Sequence, residues 1–388
     1  MRIGIIINYY DASRGGVERY AETLVHALLA GAHEVHLIAS EGRDLPEGVA
    51  FHPVEAATFW SPVKTFSFAA GAARVLDREA GAWDAVLGLA RTPRQDVYRE
   101  GAGAYGALLR ARSRDGRRRS GEALARLNPR HAAQISMERR IFAGWRRSET
   151  RRYLFNSRRV RDEILALHDV PPERVDVLHN PVDTARFDPS RWRPRREETR
   201  RAMGIPGDAY TVLFSGSGFH RKGLDLAVAA VARSSAEPWL VVAGKGDGGP
   251  YRSLAERLGA ASRVVFAGPR SDIEAVYSAC DALLAPTRYD AFSNATIEGL
   301  AMALPVITTR MNGASEIVTE GREGYIVDDA EDTVALVRAL DRLANDKERE
   351  ELGRRARTRA EALTPRAHAD GIVKVLEAAV MMGGSDGG

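Results

Sequence analysis

Three short polar segments of the chain each lie between an apolar run and a helical pattern. They are GGVE at residues 15–18, GSGFHRKG at residues 216–223 and YDAFSNATIE at residues 289–298. The apolar runs are typical of buried parallel strands, so each segment is predicted to join a strand to a helix. Backbone amides at a helix N-terminus bind anions, and glycine lets a ligand approach closely. The repetition at three equivalent junctions favours phosphate binding over three ordinary turns.

The second segment carries the adjacent cations Arg221 and Lys222. Lysine is scarce here, with 5 Lys against 51 Arg in the chain. Two fixed cations suit a diphosphate, whose charge grows when it becomes a leaving group. The alternative is a solvated helix start, but cations at a helix N-terminus oppose its dipole. We therefore expect this segment to bind a diphosphate.

The third segment places two acids, Asp290 and Glu298, on either side of a small polar turn. If the helix begins near Ser293, the amides of Phe292, Ser293 and Asn294 can point at a phosphate. Asp290 then lies in the loop and Glu298 in the second helical turn. A carboxylate can accept two sugar hydroxyls, so the pair need not be an acid and a base. The alternative is an Asp near the helix start and one exposed Glu.

The first segment places Gly15 and Gly16 at the start of a helix. The glycines do not form G-x-G-x-x-G, so nicotinamide binding loses its main support. An ordinary strand-to-helix turn is the alternative at this position.

Strands alternate with helices along the whole chain, which predicts an α/β protein with two doubly wound, Rossmann-like domains facing across a cleft. Residues 1–185 form the first domain and residues 186–364 the second. The helix at 365–382 is expected to pack back on the first domain, before a flexible tail at 383–388. The Pro- and Arg-rich stretch 185–206 is predicted to be an interdomain linker.

The overall composition fits a soluble globular protein, with 44% apolar and 28% charged residues among 388. No apolar run reaches the length of a membrane-spanning helix, and the N-terminus shows no signal-peptide pattern. The single cysteine, Cys280, excludes a disulfide framework and indicates a reducing cytoplasm. Its apolar neighbours predict a core residue.

Positive charge is concentrated between Arg99 and Arg161, where 18 Arg and no Lys face 5 acids, a net +13 in a chain of net +4. Such polarisation favours a surface for an anionic membrane or an acidic acceptor, although an ordinary solvated helix is the alternative. Nucleic acid is disfavoured because no RNA-reading motif with stacked aromatics is present. The candidate surface residues are Arg110, Arg112, Arg117, Arg118 and Arg119.

Four motifs together resemble the retaining glycosyltransferases of family 4, which have the GT-B fold. They are GGVE, LHNPVD at residues 178–183, SGFHRKGLD at residues 217–225, and YDAFSNATIEGLAMALPVI at residues 289–307. Their order, spacing and strand–helix context agree over essentially the whole chain. The FHRKG form of the second loop resembles the lipopolysaccharide core glucosyltransferase I type.

The resemblance implies a role for each cation and glycine at the phosphates. Gly15 and Gly16 would face the donor phosphates and the reaction centre. Arg221 and Lys222 would neutralise the diphosphate, and Arg186 would reach a phosphate from the linker side.

The resemblance also implies how the donor's sugars are bound. Asp290 stands where the family has the first Glu of its E-x7-E motif and would bind hydroxyls of the transferred sugar. Glu298 matches the second Glu and would accept from the nucleotide ribose. Asp96 would lie near the sugar 6-hydroxyl. The chain departs from the family in the shorter Asp290 and in Ser217, which replaces an Arg, so that Arg221 must compensate.

The implied reaction is a retaining, front-side hexosyl transfer from a nucleotide sugar, UDP-glucose, to a membrane-linked glycan such as the lipopolysaccharide core. The chain has no D-x-D motif and no His/Cys cluster, so nothing in the sequence suggests a metal site. No other cofactor is expected. The enzyme would lie in the cytoplasm, peripherally on the membrane. Two alternatives stay open: a transferase with a small soluble acceptor, and a non-catalytic protein that binds nucleotide sugars.

Overall fold

The computed structural model describes residues 1–57, 59–113, 128–147 and 149–385. The chain divides into two compact units, the first made of Met1–Asn180 and Pro365–Gly388, the second of Pro181–Thr364. The change of unit thus falls a few residues before the predicted boundary at 185. Each unit is doubly wound around a parallel sheet, which confirms the predicted fold class. Within the described residues, no helix has the length and apolar character needed to cross a membrane.

The sheet of the first unit contains β1 (Arg2–Ile6), β3 (Glu34–Ala39), β5 (Val49–Pro53), β6 (Ala85–Gly88), β7 (Val97–Glu100), β8 (Arg152–Phe155) and β9 (Val175–Val177). Its strand order is β5-β3-β1-β6-β7-β8-β9, and every pair is parallel. The short strands β2 (Tyr9–Tyr10) and β4 (Glu41–Gly42) pair separately.

The sheet of the second unit contains β10 (Thr211–Ser215), β11 (Trp239–Ala243), β12 (Val264–Gly268), β13 (Ala282–Ala285), β14 (Val306–Thr309) and β15 (Gly324–Val327). Its order is β12-β11-β10-β13-β14-β15, again parallel throughout.

The described helices cover both sheets. They are α1 (Gly16–Ala30), α2 (Ser61–Arg78), α3 (Tyr105–Ser113), α4 (Pro129–Phe142), α5 (Arg158–Leu165), α6 (Pro189–Trp192), α7 (Arg196–Ala202), α8 (Leu224–Arg233), α9 (Gly249–Arg257), α10 (Ile273–Ala279), α11 (Asn294–Ala301), α12 (Thr333–Leu343), α13 (Asp346–Glu361) and α14 (Pro365–Ser385).

Continuous apolar runs form the central strands because both faces of each sheet are covered. In β1, Ile5 packs into the core beneath α1, whereas Ile6 packs into the core beneath α2. The last helix, α14, buries Ile372 and Leu376 in the same core as Ile5. In the second unit, Cys280 is buried among apolar side chains, as the sequence predicts.

The predicted linker at 185–206 is instead packed structure, which is a correction. It forms α6 and α7, and Arg200 on α7 is only 2% exposed. The Arg200 guanidinium donates to the Ala279 carbonyl oxygen at 2.8 Å and to Asp281 Oδ2 at 2.9 Å. These bonds satisfy the buried charge, so a charge-rich sequence here belongs to the second unit.

Candidate active site

The strand order of the second sheet reverses between β10 and β13, which are neighbours although β11 and β12 separate them in the chain. Ligands in parallel sheets bind at the carboxyl ends of the strands beside such a reversal. The loops at this point are residues 216–223 after β10 and residues 286–293 after β13. They are the two segments that the sequence singles out in this half of the chain.

Asp290 joins the two loops through a pair of cations. Lys222 Nζ lies 3.1 Å from Asp290 Oδ2, and Arg221 Nη1 lies 3.3 Å from the same oxygen. Burial raises the pKa of the Asp290 carboxyl, but the charges and hydrogen bonds of Lys222 and Arg221 outweigh it and hold the pKa below its usual value. Two cations against one carboxylate leave the cluster positively charged and suited to an anion.

Two glycines allow this close approach of the loops. Gly223 has a φ of +76°, and a Cβ there would lie 2.0 Å from the Pro286 carbonyl oxygen. Gly216 has a φ of +135°, and a Cβ there would lie 2.9 Å from Cδ and Cε of Lys222. A side chain at either position would therefore separate the loops or displace the lysine.

Arg288 links the two loops by hydrogen bonds. The sequence did not identify it as a site residue. Its Nη1 donates to the His220 carbonyl oxygen at 2.8 Å, and its backbone amide donates to the Arg221 carbonyl oxygen at 2.9 Å. Asp225 and Glu331 pair with the same guanidinium at 2.7 and 2.6 Å. Its position directly before the third polar segment was the one signal that could have found it.

Helix α11 begins at Asn294, with Ser293 as its N-cap residue. The Ser293 amide donates to Oδ1 of Asn312 at 3.1 Å, and the fully buried Asn312 also donates to Thr296 Oγ1 at 2.9 Å. The Ser293 amide therefore has a protein acceptor, which corrects the prediction that it points at a phosphate. The donor-binding roles of Phe292 and Asn294, which flank it, stay predictions.

Glu298 lies in the second turn of α11, as predicted, and accepts a hydrogen bond of 2.9 Å from the Tyr277 hydroxyl. Burial raises the pKa of Tyr277, and the charge of Glu298 raises it further, so the hydroxyl keeps its proton. Tyr277, which the sequence reasoning also missed, thereby orients the Glu298 carboxylate. Arg186 pairs with Glu274, one turn before Tyr277 on α10, and its role at a phosphate stays a prediction.

Gly15 and Gly16 lie at the reversal point of the first sheet, which falls between β1 and β6. Gly16 begins α1 and Gly15 is the residue before it, in the connection that follows β1. A Cβ on Gly16 would meet nothing within 4 Å, whereas one on Gly15 would lie 2.9 Å from Glu18 Oε2. Their position agrees with a ligand crevice, and their contact with donor phosphates stays a prediction.

Asp96 does not lie at this edge, which corrects its assignment as a catalytic residue. It directly precedes β7 and therefore lies at the amino ends of the strands, opposite Gly15. Its Oδ2 accepts from the Val86 amide at 2.8 Å, and its Oδ1 pairs with Arg151 at 2.9 Å. Both carboxylate oxygens therefore stabilise the sheet.

The predicted basic surface falls largely outside the described residues. Arg117, Arg118 and Arg119 are not among them, and of Arg110 and Arg112 only the helical backbone in α3 is described. The role of this surface stays a prediction.

Solved glycosyltransferases resemble the structure over almost its whole length. The crystal structure of WaaG, a glycosyltransferase involved in lipopolysaccharide biosynthesis, matches with a TM-score of 0.80 at 22% identity, covering 96% of this chain and 99% of that one. Anabaena Alr3699/HepE in complex with UDP and glucose matches with a TM-score of 0.71 at 18% identity, covering 97% and 99%. Two doubly wound parallel sheets of this kind define the GT-B class of fold.

The family follows from two matches along the sequence. Residues 14–186 match Glycosyltransferase Family 4, and residues 195–359 match Glycosyl transferases group 1. The chain belongs to these glycosyltransferases, which confirms the resemblance. The D-inositol 3-phosphate glycosyltransferase of Corynebacterium glutamicum (strain R) is 31% identical over 185 residues, 45% of this chain and 44% of that protein. The match thus spans less than half the length of this curated relative.

Proposed function

We propose that the protein transfers a hexose from a nucleotide sugar, UDP-glucose, to a saccharide acceptor with retention of configuration and without a metal. The observation that carries this proposal is the pair Arg221 and Lys222 beside Asp290 at the reversal point of the second sheet. A net positive cluster fixed by glycines and Arg288 is suited to the charge of a departing diphosphate. Family membership supports the transferase class.

In the proposed reaction, the acceptor hydroxyl attacks the anomeric carbon from the face that the diphosphate leaves. The bond between the anomeric carbon and the phosphate oxygen breaks, and that oxygen takes the hydroxyl proton. Lys222 and Arg221 stabilise the growing charge on the diphosphate, while Glu298, oriented by Tyr277, accepts from the ribose hydroxyls. No protein nucleophile is needed.

The affinity of the Glu298→Ala variant for the donor tests this proposal directly. We expect titration calorimetry to show UDP-glucose binding to the wild-type protein and about 10- to 100-fold weaker binding to the variant, because a charged hydrogen-bond acceptor is lost. Glu256→Ala, an exposed glutamate on α9, is the matched control. Wild-type affinity in Glu298→Ala would contradict the assigned site. Donor binding without release of UDP from any common donor would leave only the non-catalytic alternative.

The acceptor is proposed to be membrane-linked, on the inner face of the cytoplasmic membrane. The segment between Arg99 and Arg161, with its net charge of +13, supports binding to an anionic membrane surface. The first unit also exposes Phe59 and Trp60, at 73% and 58%, just before α2, and aromatic side chains anchor proteins at the membrane interface. A small soluble acceptor is the second candidate, supported by the inositol phosphate for which the D-inositol 3-phosphate glycosyltransferase relatives are named.

Vesicle sedimentation separates these two candidates. We expect the protein to sediment with phosphatidylglycerol vesicles at low salt, less at high salt, and less after Trp60→Ser, because charge and aromatic insertion both contribute. Val334→Ser, which removes an exposed apolar side chain of the second unit, is the control and should change nothing. Full transferase activity without lipid, together with no sedimentation, would favour the soluble acceptor.

A further inference from the structure

The first unit has a second candidate site at its own reversal point, between the carboxyl ends of β1 and β6. The loop after β6 runs from residue 89 to 96 and carries Arg91. Glu100 ends the next strand, β7, and Glu138 comes from α4. The Arg91 guanidinium also lies 5.2 Å from the ring centre of Tyr105. Loops beside a reversal point are where parallel sheets bind ligands.

Arg91 is poorly satisfied for a cation whose side chain is only 18% exposed. Its Nη2 lies 3.5 Å from Glu138 Oε2 and 3.9 Å from Glu100 Oε2, longer than the roughly 2.8 Å of a charge-assisted hydrogen bond. Its Nη1 is buried and has no hydrogen-bond partner anywhere in the described parts of the chain. Buried polar groups nearly always have partners, so this donor lacks an acceptor of the kind that a ligand oxygen would supply.

The two carboxylates around Arg91 already have partners of their own. Glu100 accepts from the amides of Ala102 and Gly103 at 2.7 and 3.1 Å, and Glu138 accepts from the Tyr105 amide at 2.8 Å. Burial raises the pKa of Glu100, whereas burial of Glu138 is outweighed by the bond to His168 and the charge of Arg91, which lower its pKa. Neither carboxylate therefore depends on a ligand.

The charge balance here is opposite to that at the donor cluster. One cation faces two carboxylates, whereas Arg221 and Lys222 face a single carboxylate. Surplus negative charge repels a phosphate but leaves a guanidinium N–H free to bind a neutral oxygen. An aromatic ring beside a cation and a carboxylate suits a sugar ring, which has both an apolar face and hydroxyls.

A second unsatisfied group lies at the same edge. Asn156 follows β8, the neighbour of β7, and donates from its amide nitrogen to the Gly101 carbonyl oxygen at 3.0 Å. Its Oδ1 is buried without a hydrogen-bond partner among the residues that the structure describes. Arg91 lacks an acceptor and Asn156 lacks a donor, and the hydroxyls of a sugar can supply both, since a hydroxyl accepts and donates.

We propose that Arg91 is an acceptor-specificity residue that binds hydroxyls of a neutral saccharide and disfavours an acceptor with a phosphate at that point. The assignment rests on the proposed function, because it takes the first unit as the acceptor side. It distinguishes this chain from relatives that are named for a phosphorylated inositol.

Saturation-transfer NMR on the full chain with UDP present tests the proposal. The probes are glucose, mannose and myo-inositol, each beside its monophosphate. We expect the neutral probes to bind at least about tenfold more tightly than their phosphates, a difference of about 1.4 kcal/mol. In Arg91→Lys, which keeps the charge but loses the planar fork, we expect binding of the neutral probes to fall by about tenfold or more.

UDP affinity, measured by calorimetry on the same samples, separates this proposal from the proposed function. Unchanged UDP binding with lost saccharide binding in Arg91→Lys supports the inference, and Arg94→Lys, an exposed arginine of the same loop, is the control. Tighter binding of the phosphates, absence of binding by every neutral probe, or wild-type saccharide binding in Arg91→Lys would each overturn it. Failure of UDP to bind the wild-type protein would instead refute the proposed function.

Discussion

Lys222→Ala is expected to lower kcat for hexosyl transfer by about 10²- to 10³-fold, which is the usual cost of removing one preorganised donor from a developing anion. Lys222 Nζ is 3.1 Å from Asp290 Oδ2, and its aliphatic stem lies against Gly216. Arg221 still pairs with Asp290 in the variant, so the carboxylate keeps a partner and the second unit should stay folded. Steady-state kinetics with UDP-glucose measures the effect.

The control for this substitution is Lys245→Ala. Lys245 is an exposed lysine in the loop after β11, close enough for its backbone amide to donate to Ser217 Oγ at 3.2 Å. This control tests whether a general loss of positive charge near the loop is sufficient to lower kcat. A wild-type kcat in Lys222→Ala, or an equal loss in Lys245→Ala, would remove the cation pair from the mechanism.

Arg200→Ala is expected to destabilise the second unit by about 3–5 kcal/mol, because it leaves Asp281 without its most buried partner and strips hydrogen bonds from backbone carbonyls. The guanidinium donates to the carbonyl oxygens of Pro206, Gly207 and Ala209 as well as to Asp281. A loss of this size corresponds to a fall of roughly 10 °C in the unfolding temperature, which differential scanning calorimetry detects.

The adjacent Arg201 provides the matched comparison for that prediction. It is exposed on the same helix, so Arg201→Ala removes the same side chain without removing a buried partner. Its effect should stay within about 0.5 kcal/mol, as is usual for surface substitutions. Similar unfolding temperatures for Arg200→Ala and the wild-type protein would show that the buried guanidinium does not stabilise the fold.

The fold and the donor loops were predictable from sequence because their signals are local. A buried strand, a glycine and a helix start are contiguous in residues 211–224, so the periodicity and the turn residues lie in one window. The glycines then fix the loop backbone whatever the rest of the chain does. Arg221 and Lys222 were found for this reason.

Contacts between distant segments were beyond such reasoning. The apolar pattern does not reveal strand β7, because Arg99 and Glu100 interrupt it, yet both side chains are buried. Arg99 lies 3.7 Å from the ring centre of Tyr20 and donates to Asn180 Oδ1 at 2.5 Å. Asn312 satisfies the Ser293 amide from a loop 19 residues away. None of these partners is visible in a short window of sequence.

Because the last helix, α14, belongs to the first unit, the order in which the chain is synthesised affects how the two units fold. The first unit needs Ile372 and Leu376 of α14 to complete its core, but residues 181–364 are made in between. The second unit is contiguous and can fold as soon as its own residues have left the ribosome. The first unit must wait for α14 with part of its apolar surface uncovered. The N-terminal half is therefore expected to be the last to reach its native state, and the half more dependent on chaperones during translation.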